Sequence, residues 1–220
     1  SYPILCLYNA GSLLNSKEVP HEALEYIFKS ISTVPEIKRV AIESRVEYAD
    51  AEKIVALKSL LKGRELVIGT GFESSNDIIR ELCVHKGIQK KKFENYIEHM
   101  RSQDISTRIY ILIKPPFLTE AEAIEDAVAT TKYLYDLGIK DIHYETMTVE
   151  ENTLVSTLYH KGLYQLPWLW SIIEIIKQVS PFINPYISPF RYITDSQMVP
   201  SNCKWCSQSV TDAILNKYCA

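Results

Sequence analysis

Residues 108–146 read RIYILIKPPFLTEAEAIEDAVATTKYLYDLGIKDIHYET, and this stretch predicts a strand, a helix and a second strand in succession. The first run, Arg108–Lys114, is apolar at nearly every position and rich in β-branched and aromatic residues. Continuous rather than alternating apolarity is typical of strands covered on both faces, as in parallel sheets. Thr119 and Glu122 predict a capping box at the start of the helix, and Gly138 predicts its end. The run Asp141–Thr146 is the second strand.

The same alternation extends toward the N-terminus. Three more apolar runs, Tyr2–Tyr8, Arg39–Glu43 and Glu65–Thr70, predict strands. Helical spacing covers the stretches between the five runs: His21–Ser32, Asp50–Leu61, Asn76–His85, Lys91–Arg101 and Thr119–Leu137. Such alternation specifies right-handed crossovers and a parallel sheet. The strands end by residue 146, which is too short for a closed eightfold barrel of about 250 residues. A partial barrel and an open doubly wound sheet are both compatible with the pattern.

After Thr146 the pattern changes. It predicts helices at Glu151–His160, Trp168–Val179 and Val210–Lys217, with an irregular segment at Ser180–Pro200. We therefore expect residues 1–150 to form the α/β barrel portion and residues 151–220 to form a small helical and irregular C-terminal extension.

Composition restricts the partners. A net charge of −3 argues against a broadly basic nucleic-acid surface, although the run Lys90–Lys92 concentrates positive charge locally. The five cysteines are not spread like a disulfide framework, and the longest apolar stretch is too short to span a bilayer. The sequence therefore predicts a cytoplasmic protein with no membrane partner.

Polar side chains follow every predicted strand. They stand in the segments Asn9–Ser12, Glu43–Arg45, Gly71–Asn76, Lys114–Phe117 and Glu145–Thr148. Ligands of parallel α/β folds lie beyond the carboxyl ends of the strands, so these segments predict a polar site along one rim. Two structural alternatives stay open. Glu43 and Arg45 can pair with each other or with Glu73, and Ser75 or Asn76 can cap the next helix.

The five stretches LYNAGSLLN, AIESRVEY, GTGFESSNDIIR, IKPPFLTEAEAIEDA and LYHKGLYQLPWLWS carry a resemblance. In this order they resemble the radical S-adenosylmethionine (SAM) proteins of the group containing the archaeosine-biosynthesis tRNA enzymes. The resemblance implies a six-stranded partial parallel (β/α) barrel of which the first strand is missing here, with SAM across the rim.

The resemblance also implies roles for the rim residues. Asn9, Gly11 and Ser12 would meet the methionine end of SAM. Candidates for contact with its ribose, its carboxylate or the substrate are Glu43, Arg45, Glu73, Ser74 and Lys114, with Lys114 and Glu43 as the catalytic candidates. Lys114, the last residue of an apolar strand, is alternatively the amine of a Schiff-base lyase.

One departure from the family is serious. Its [4Fe–4S] cluster is held by a C-x3-C-x2-C motif, and these 220 residues contain none. We therefore expect the cluster on a second chain or on a removed segment, and an inactive chain in isolation. The resulting hypothesis is a radical SAM lyase or transferase that acts on tRNA. A non-catalytic subunit that binds SAM or a small-molecule substrate is the alternative.

The C-terminal tail offers a second metal hypothesis. Cys203 and Cys206 form a C-x2-C pair, half of a tetrahedral zinc site, with Cys219 nearby and His160 as a further candidate ligand. Reduced thiols are the alternative. The aromatic residues of this region can stack on RNA bases or pack a helix against the barrel: Tyr164, Trp168, Trp170, Tyr186 and Tyr192.

Overall fold

Six strands form one sheet in the computed structural model, which describes residues 3–9, 11–189 and 198–219. In sheet order they are β1 (Ile4–Leu7), β2 (Arg39–Glu43), β3 (Glu65–Glu73), β4 (Ser106–Ile113), β5 (Ile142–Thr146) and β6 (Tyr186–Ile187). The pairs β1/β2, β2/β3 and β5/β6 are parallel. With helices between the strands, this is a partial parallel (β/α) barrel, and the predicted fold class is confirmed.

The helices follow the predicted segments closely. They are α1 (His21–Ile31), α2 (Ala51–Leu60), α3 (Lys90–Ser102), α4 (Glu120–Asp136), α5 (Leu154–His160), α6 (Leu169–Val179) and α7 (Ser207–Tyr218). The capping box at Thr119 is present, and Gly138 follows α4 with φ 81°. A residue with a Cβ adopts that backbone conformation at a cost, so glycine suits this helix end.

Apolar side chains on the two faces of the strands explain why the sequence forms a buried sheet. Val40, Ile42, Leu66 and Ile68 are almost completely buried on one face of the sheet, and Ala41 and Val67 are almost completely buried on the other. Strand β3 is buried at most of its nine positions. This matches the continuous apolarity of these runs, since strands covered on both faces have no solvent side.

Contacts divide the chain into two units. The first is Ser1–Gly71 with Ile88–Ile109, and the second is Phe72–Gly87 with Tyr110–Ala220. Within the first, α1 packs on α2. Arg64 donates hydrogen bonds there to the carbonyls of Ser32, Val34, Ile37 and Leu61. Within the second, α6 packs on both α4 and α7. The domain boundary predicted after residue 150 stays a prediction.

Two predicted elements differ from the structure. Tyr186–Ile187 is a strand inside the segment predicted to be irregular, and it pairs with β5. It is only two residues long and lies between Pro185 and Pro189, so no periodicity announces it. The helix predicted at Asn76–His85 is present but shorter, and it is π-helical over Ile79–Cys83, where the N–H of Val84 donates to the carbonyl of Ile79.

Tyr2 and Tyr192, which belong to predicted features, lie outside the described residues. Within the ranges that are described, no helix combines the length and the apolar character needed to cross a bilayer.

Candidate functional site

The loop after β1, in the first unit, contains three predicted cofactor-binding residues arranged around a carboxylate. Glu18 accepts hydrogen bonds from the backbone N–H of Ser12 at 2.8 Å, from Asn9 Nδ2 at 3.1 Å and from Asn15 Nδ2 at 2.7 Å. A Cβ at residue 11 would collide with the same carboxylate, so Gly11 is required for this approach. These hydrogen bonds lower the pKa of Glu18. The loop is therefore a carboxylate-binding turn filled by its own glutamate.

One acceptor in this loop has no partner. The Oδ1 atom of Asn9 is buried and lacks a hydrogen-bond partner among the described residues. An unpaired buried acceptor costs free energy that a ligand donor would recover. An ammonium group such as the α-amino group of SAM has the matching chemistry. The predicted contacts of Asn9 and Gly11 with the methionine end of SAM stay predictions.

The segment after β2 joins this loop in the same unit. The N–H of Arg45 donates to Ser12 Oγ at 3.2 Å, and the N–H of Leu13 donates to the carbonyl of Glu43 at 3.0 Å. The guanidinium of Arg45 contacts Glu47 Oε1 at 2.6 Å. The structure thus brings the predicted residues Ser12, Glu43 and Arg45 together, with Glu47 as an ion-pair partner of Arg45.

A tyrosine belongs to the same neighbourhood. Partial burial and a hydrogen bond with the Cys6 side chain raise the pKa of Tyr8 to about 12, while the nearby Arg108 opposes this rise. The Arg108 guanidinium lies 3.5 Å from the Tyr8 hydroxyl. Tyr8 is consequently a neutral hydrogen-bonding phenol at physiological pH.

The two predicted residues after β3 lie in the second unit. Glu73 adopts a left-handed backbone conformation (φ 70°) and forms an ion pair with Lys86, whose Nζ lies 2.7 Å from Glu73 Oε1. Ser74 is fully buried, and its hydroxyl donates to Asp126 Oδ1 of α4 at 2.5 Å. Asn76 caps the following π-helical turn through the N–H of Ile78, as one sequence alternative proposed.

Asp126 also lines an open cleft of about 610 Å³. Burial raises the pKa of its carboxyl to about 6, although the hydrogen bond from Ser74 opposes the rise. Ser75, Cys83 and Phe117 line the same cleft, together with Glu122 and Glu125.

Lys114, the catalytic candidate at the end of β4, is buried in a network of the second unit. Its Nζ contacts Glu120 Oε1 at 2.6 Å and donates to the carbonyl of Gln165 at 2.7 Å. Glu120 accepts a further hydrogen bond from Ser171 Oγ at 2.5 Å, and Tyr164 donates to the carbonyl of Lys114 at 2.7 Å. The network ties the end of β4 to the starts of α4 and α6, which is a structural role.

The tail thiols lie close together. Cys203 Sγ and Cys206 Sγ are 3.3 Å apart in the turn before α7, and hydrogen bonds to Cys203 lower the pKa of its thiol. Cys219 donates instead to the carbonyl of Ile187, and its burial raises the thiol pKa to about 11. His160 lies 3.6 Å from Glu151. No group of three or more metal-ligating side chains exists among the described residues, so the zinc hypothesis lacks support.

Several polar residues that organise this chain were missed at the sequence level. Glu120 and Asp126 have partners 51 and 52 residues away in sequence, whereas Glu18 is held by loop residues within nine positions of it. Acidic residues on helices and loops are ordinarily solvated. Only the short spacing from Asn15 to Glu18 offered a local signal, because side chains three residues apart can meet in a turn.

Comparison with known proteins gives consistent findings. No family model matches the chain. It is 39% identical over 173 residues to an uncharacterized protein of Methanocaldococcus jannaschii, covering 79% of this chain and 47% of that relative. It is 32% identical over 211 residues to archaeosine synthase subunit beta of Methanosarcina acetivorans, covering 94% of this chain and 60% of that one. The chain thus spans about half to three fifths of these relatives.

Among solved structures, archaeal Methanocaldococcus infernus Elp3 with an N-terminal deletion matches with a TM-score of 0.72 and 14% identity. The match covers 97% of this chain and 53% of that one. At this identity the match supports the fold alone.

Proposed function

We infer that this chain, which is similar to archaeosine synthase subunit beta, belongs to a radical SAM enzyme that modifies tRNA. The observation that carries the inference is the carboxylate-binding loop after β1, with the unpaired acceptor of Asn9 at its centre. Homology to an archaeosine synthase beta subunit supports the tRNA role.

The [4Fe–4S] cluster does not fit the residues of this chain. The sequence has no C-x3-C-x2-C motif, and the described residues offer no metal-ligating group of three. We therefore place the cluster ligands outside these 220 residues. When such a segment or subunit supplies the cluster, the cluster would provide the one electron needed for reductive cleavage of SAM to methionine and a 5′-deoxyadenosyl radical. The name "subunit beta" of the relative supports a partner subunit.

The chain's own residues then bind and orient SAM. Asn9 would accept from its amino group, and the carboxylate of SAM would accept from the Ser12 N–H only after displacing Glu18, which holds that donor in this structure. Arg45, Glu43, Glu73 and Ser74 remain the proposed contacts for the ribose or the substrate.

Calorimetry with SAM tests the binding role. Asn9→Ala should weaken SAM affinity about tenfold, because one buried hydrogen-bond partner is worth about 1.4 kcal/mol. Asn95→Ala on α3 is the matched control, since that side chain is exposed, and it should leave the affinity unchanged. Absence of SAM binding even with the cluster-bearing component present would remove the proposal.

A non-catalytic role is the second candidate, and the missing motif favours it. Anaerobic reconstitution with iron, sulfide and the cluster-bearing component separates the two roles. Formation of 5′-deoxyadenosine supports the enzyme, whereas SAM binding without this product supports a binding subunit.

The Schiff-base alternative rests on Lys114. Its Nζ is held by Glu120 and the Gln165 carbonyl, and an ammonium tied in this way is not free to add to a carbonyl. Borohydride trapping with a panel of carbonyl substrates is the direct test, and a Lys114 adduct would revive the lyase.

A further inference from the structure

All three tryptophans of the chain lie at the surface of the second unit. Trp168 and Trp170 are each 52% exposed, and Trp205 is 84% exposed. Tryptophan is highly buried on average, because exposing its large apolar ring to water is unfavourable. Exposure of all three tryptophans therefore indicates an interaction surface on this unit.

Hydrogen bonds bring the segments bearing these rings together. The N–H of Trp170, in the first turn of α6, donates to Asn202 Oδ1 at 3.3 Å. The N–H of Asn202 in turn donates to Ser207 Oγ, at the start of α7, at 2.8 Å. The two helices also pack on each other. The starts of α6 and α7 thus lie side by side, with Trp168 just before one and Trp205 just before the other.

The charge at the start of α7 favours an anionic partner. The Glu120 carboxylate already occupies the N-terminal end of α6, where it accepts from the N–H of Trp168. The first turn of α7 has no acidic residue, so no side chain of that turn neutralises its positive dipole end. Lys204 adds a cation, with its Nζ 4.9 Å from the Trp205 ring centroid. The exposed indoles, together with Lys204 and the positive end of α7, are complementary to a polyanion that carries flat rings.

We propose that this tryptophan surface (Trp168, Trp170, Trp205 and Lys204) binds unpaired bases of an RNA by stacking. Single-stranded RNA offers both chemistries at once, because its splayed bases stack on aromatic side chains while its phosphates meet the positive charge. Identification of this RNA as the tRNA substrate rests on the proposed function, whereas base stacking does not.

The network around Lys114 explains how the surface is placed. Trp168 donates its N–H to the Glu120 carboxylate, which also holds Lys114 at the end of β4. In the second unit the tryptophan surface therefore lies at the carboxyl end of β4, the end at which ligands of parallel α/β folds bind. An RNA loop whose unpaired bases stack on this surface would therefore lie next to the carboxyl end of β4.

Binding of fluorescein-labelled RNA tests the proposal, with a single-stranded oligoribonucleotide and an unmodified tRNA transcript as probes and no SAM or reductant present. Each of Trp168→Ala, Trp170→Ala and Trp205→Ala should weaken binding of both probes about tenfold. The triple variant should abolish it. Tyr26→Ala is the matched control, because that ring is 73% exposed on α1 of the first unit, and it should bind RNA like the parent protein. Circular dichroism should show that all variants stay folded.

Intrinsic fluorescence supplies a second readout that needs no substitution. Since every indole lies on this surface, RNA should quench the emission of the parent protein, and a duplex competitor should not. Unquenched emission, or full RNA affinity in the triple variant, would overturn the proposal. So would loss of self-association or of partner-subunit binding in that variant with RNA binding unchanged, since the surface would then be a protein interface. Failure of SAM binding alone would leave base stacking intact, so the two proposals fail separately.

Discussion

At the scale of single residues, Asp126 shows how the fold changes an ordinary side chain. Its carboxyl is almost completely buried against Ser74, and burial raises its pKa to about 6. The folded state therefore binds the Asp126 proton more tightly than the unfolded chain does. The resulting stabilisation is complete below about pH 4 and is lost as the pH rises through about 6.

Asp126→Asn should remove this pH dependence. Asparagine keeps the shape and stays neutral, so the variant should gain stability over the parent as the pH rises from 4 to 7, by at most about 3 kcal/mol. Urea unfolding at both pH values measures the difference. Asp136→Asn is the control, because that residue lies exposed on the same helix. A stability difference that does not change with pH would contradict the assignment.

Removing one partner of the Lys114 network should be costly. Lys114→Met leaves the Glu120 carboxylate without its cation, and loss of one member of a buried ion pair costs about 3–5 kcal/mol. The double variant Lys114→Met, Glu120→Gln should lose less than the sum of the two single variants. Denaturant unfolding of the four proteins measures this coupling, and strict additivity would show that the pair is not coupled.

Residue identity alone could predict only part of the candidate site. Asn9 and Ser12 follow β1, and Glu43 and Arg45 lie at the end of β2. The structure brings these two segments together through hydrogen bonds between their backbones and side chains. Their individual roles stay predictions. The carboxylates that complete the networks could not be found, because Glu120 and Asp126 meet their partners only after the chain has folded.

At the scale of elements, prediction succeeded where the signal is local. The start of α4 follows from Thr119 and Glu122, which satisfy each other's backbone N–H groups within one turn. The π-helical turn is different. Arg80 is 1% exposed and donates to the carbonyl of Ser74, so a buried guanidinium and its partners shape this turn rather than helical periodicity.

Thr119→Ala should test the α4 cap. Loss of the side-chain acceptor for the Glu122 N–H should reduce the free energy of unfolding by about 1 kcal/mol. Thr119→Ser keeps the hydroxyl and should retain most of the stability. Equal losses in the two variants would assign the effect to the missing methyl group instead of the cap.

At the scale of the whole molecule, alternation of strands and helices was enough to predict the fold class. The same alternation undercounted the strands, because β6 has only two residues and is defined by its pairing with β5. Convergence of all the strand ends into one SAM site stays a prediction.

The dependence of RNA affinity on salt concentration is a further prediction for this chain, whose net charge is −3. If stacking on the tryptophan surface provides most of the affinity, few phosphates are neutralised. The logarithm of affinity should then fall with the logarithm of salt concentration with a slope of about −1.4, which corresponds to about two phosphates on a single strand. Titrations at several salt concentrations give the slope. A much steeper slope would mean that many phosphates are neutralised, and it would assign RNA binding to the cluster Lys90–Lys92 instead.

The backbone conformation and the side-chain contact of Lys114 favour different residues at this position. Its backbone has φ 56°, a conformation that suits glycine, yet its long cationic side chain fills the pocket beside Glu120. Glycine would relieve the backbone strain at this position but would lose the ion pair with Glu120. A smaller or neutral side chain would keep the strained backbone and would also lose that ion pair. Lys114 thus holds Glu120 while its own backbone stays in a left-handed conformation that is unfavourable for a residue with a Cβ.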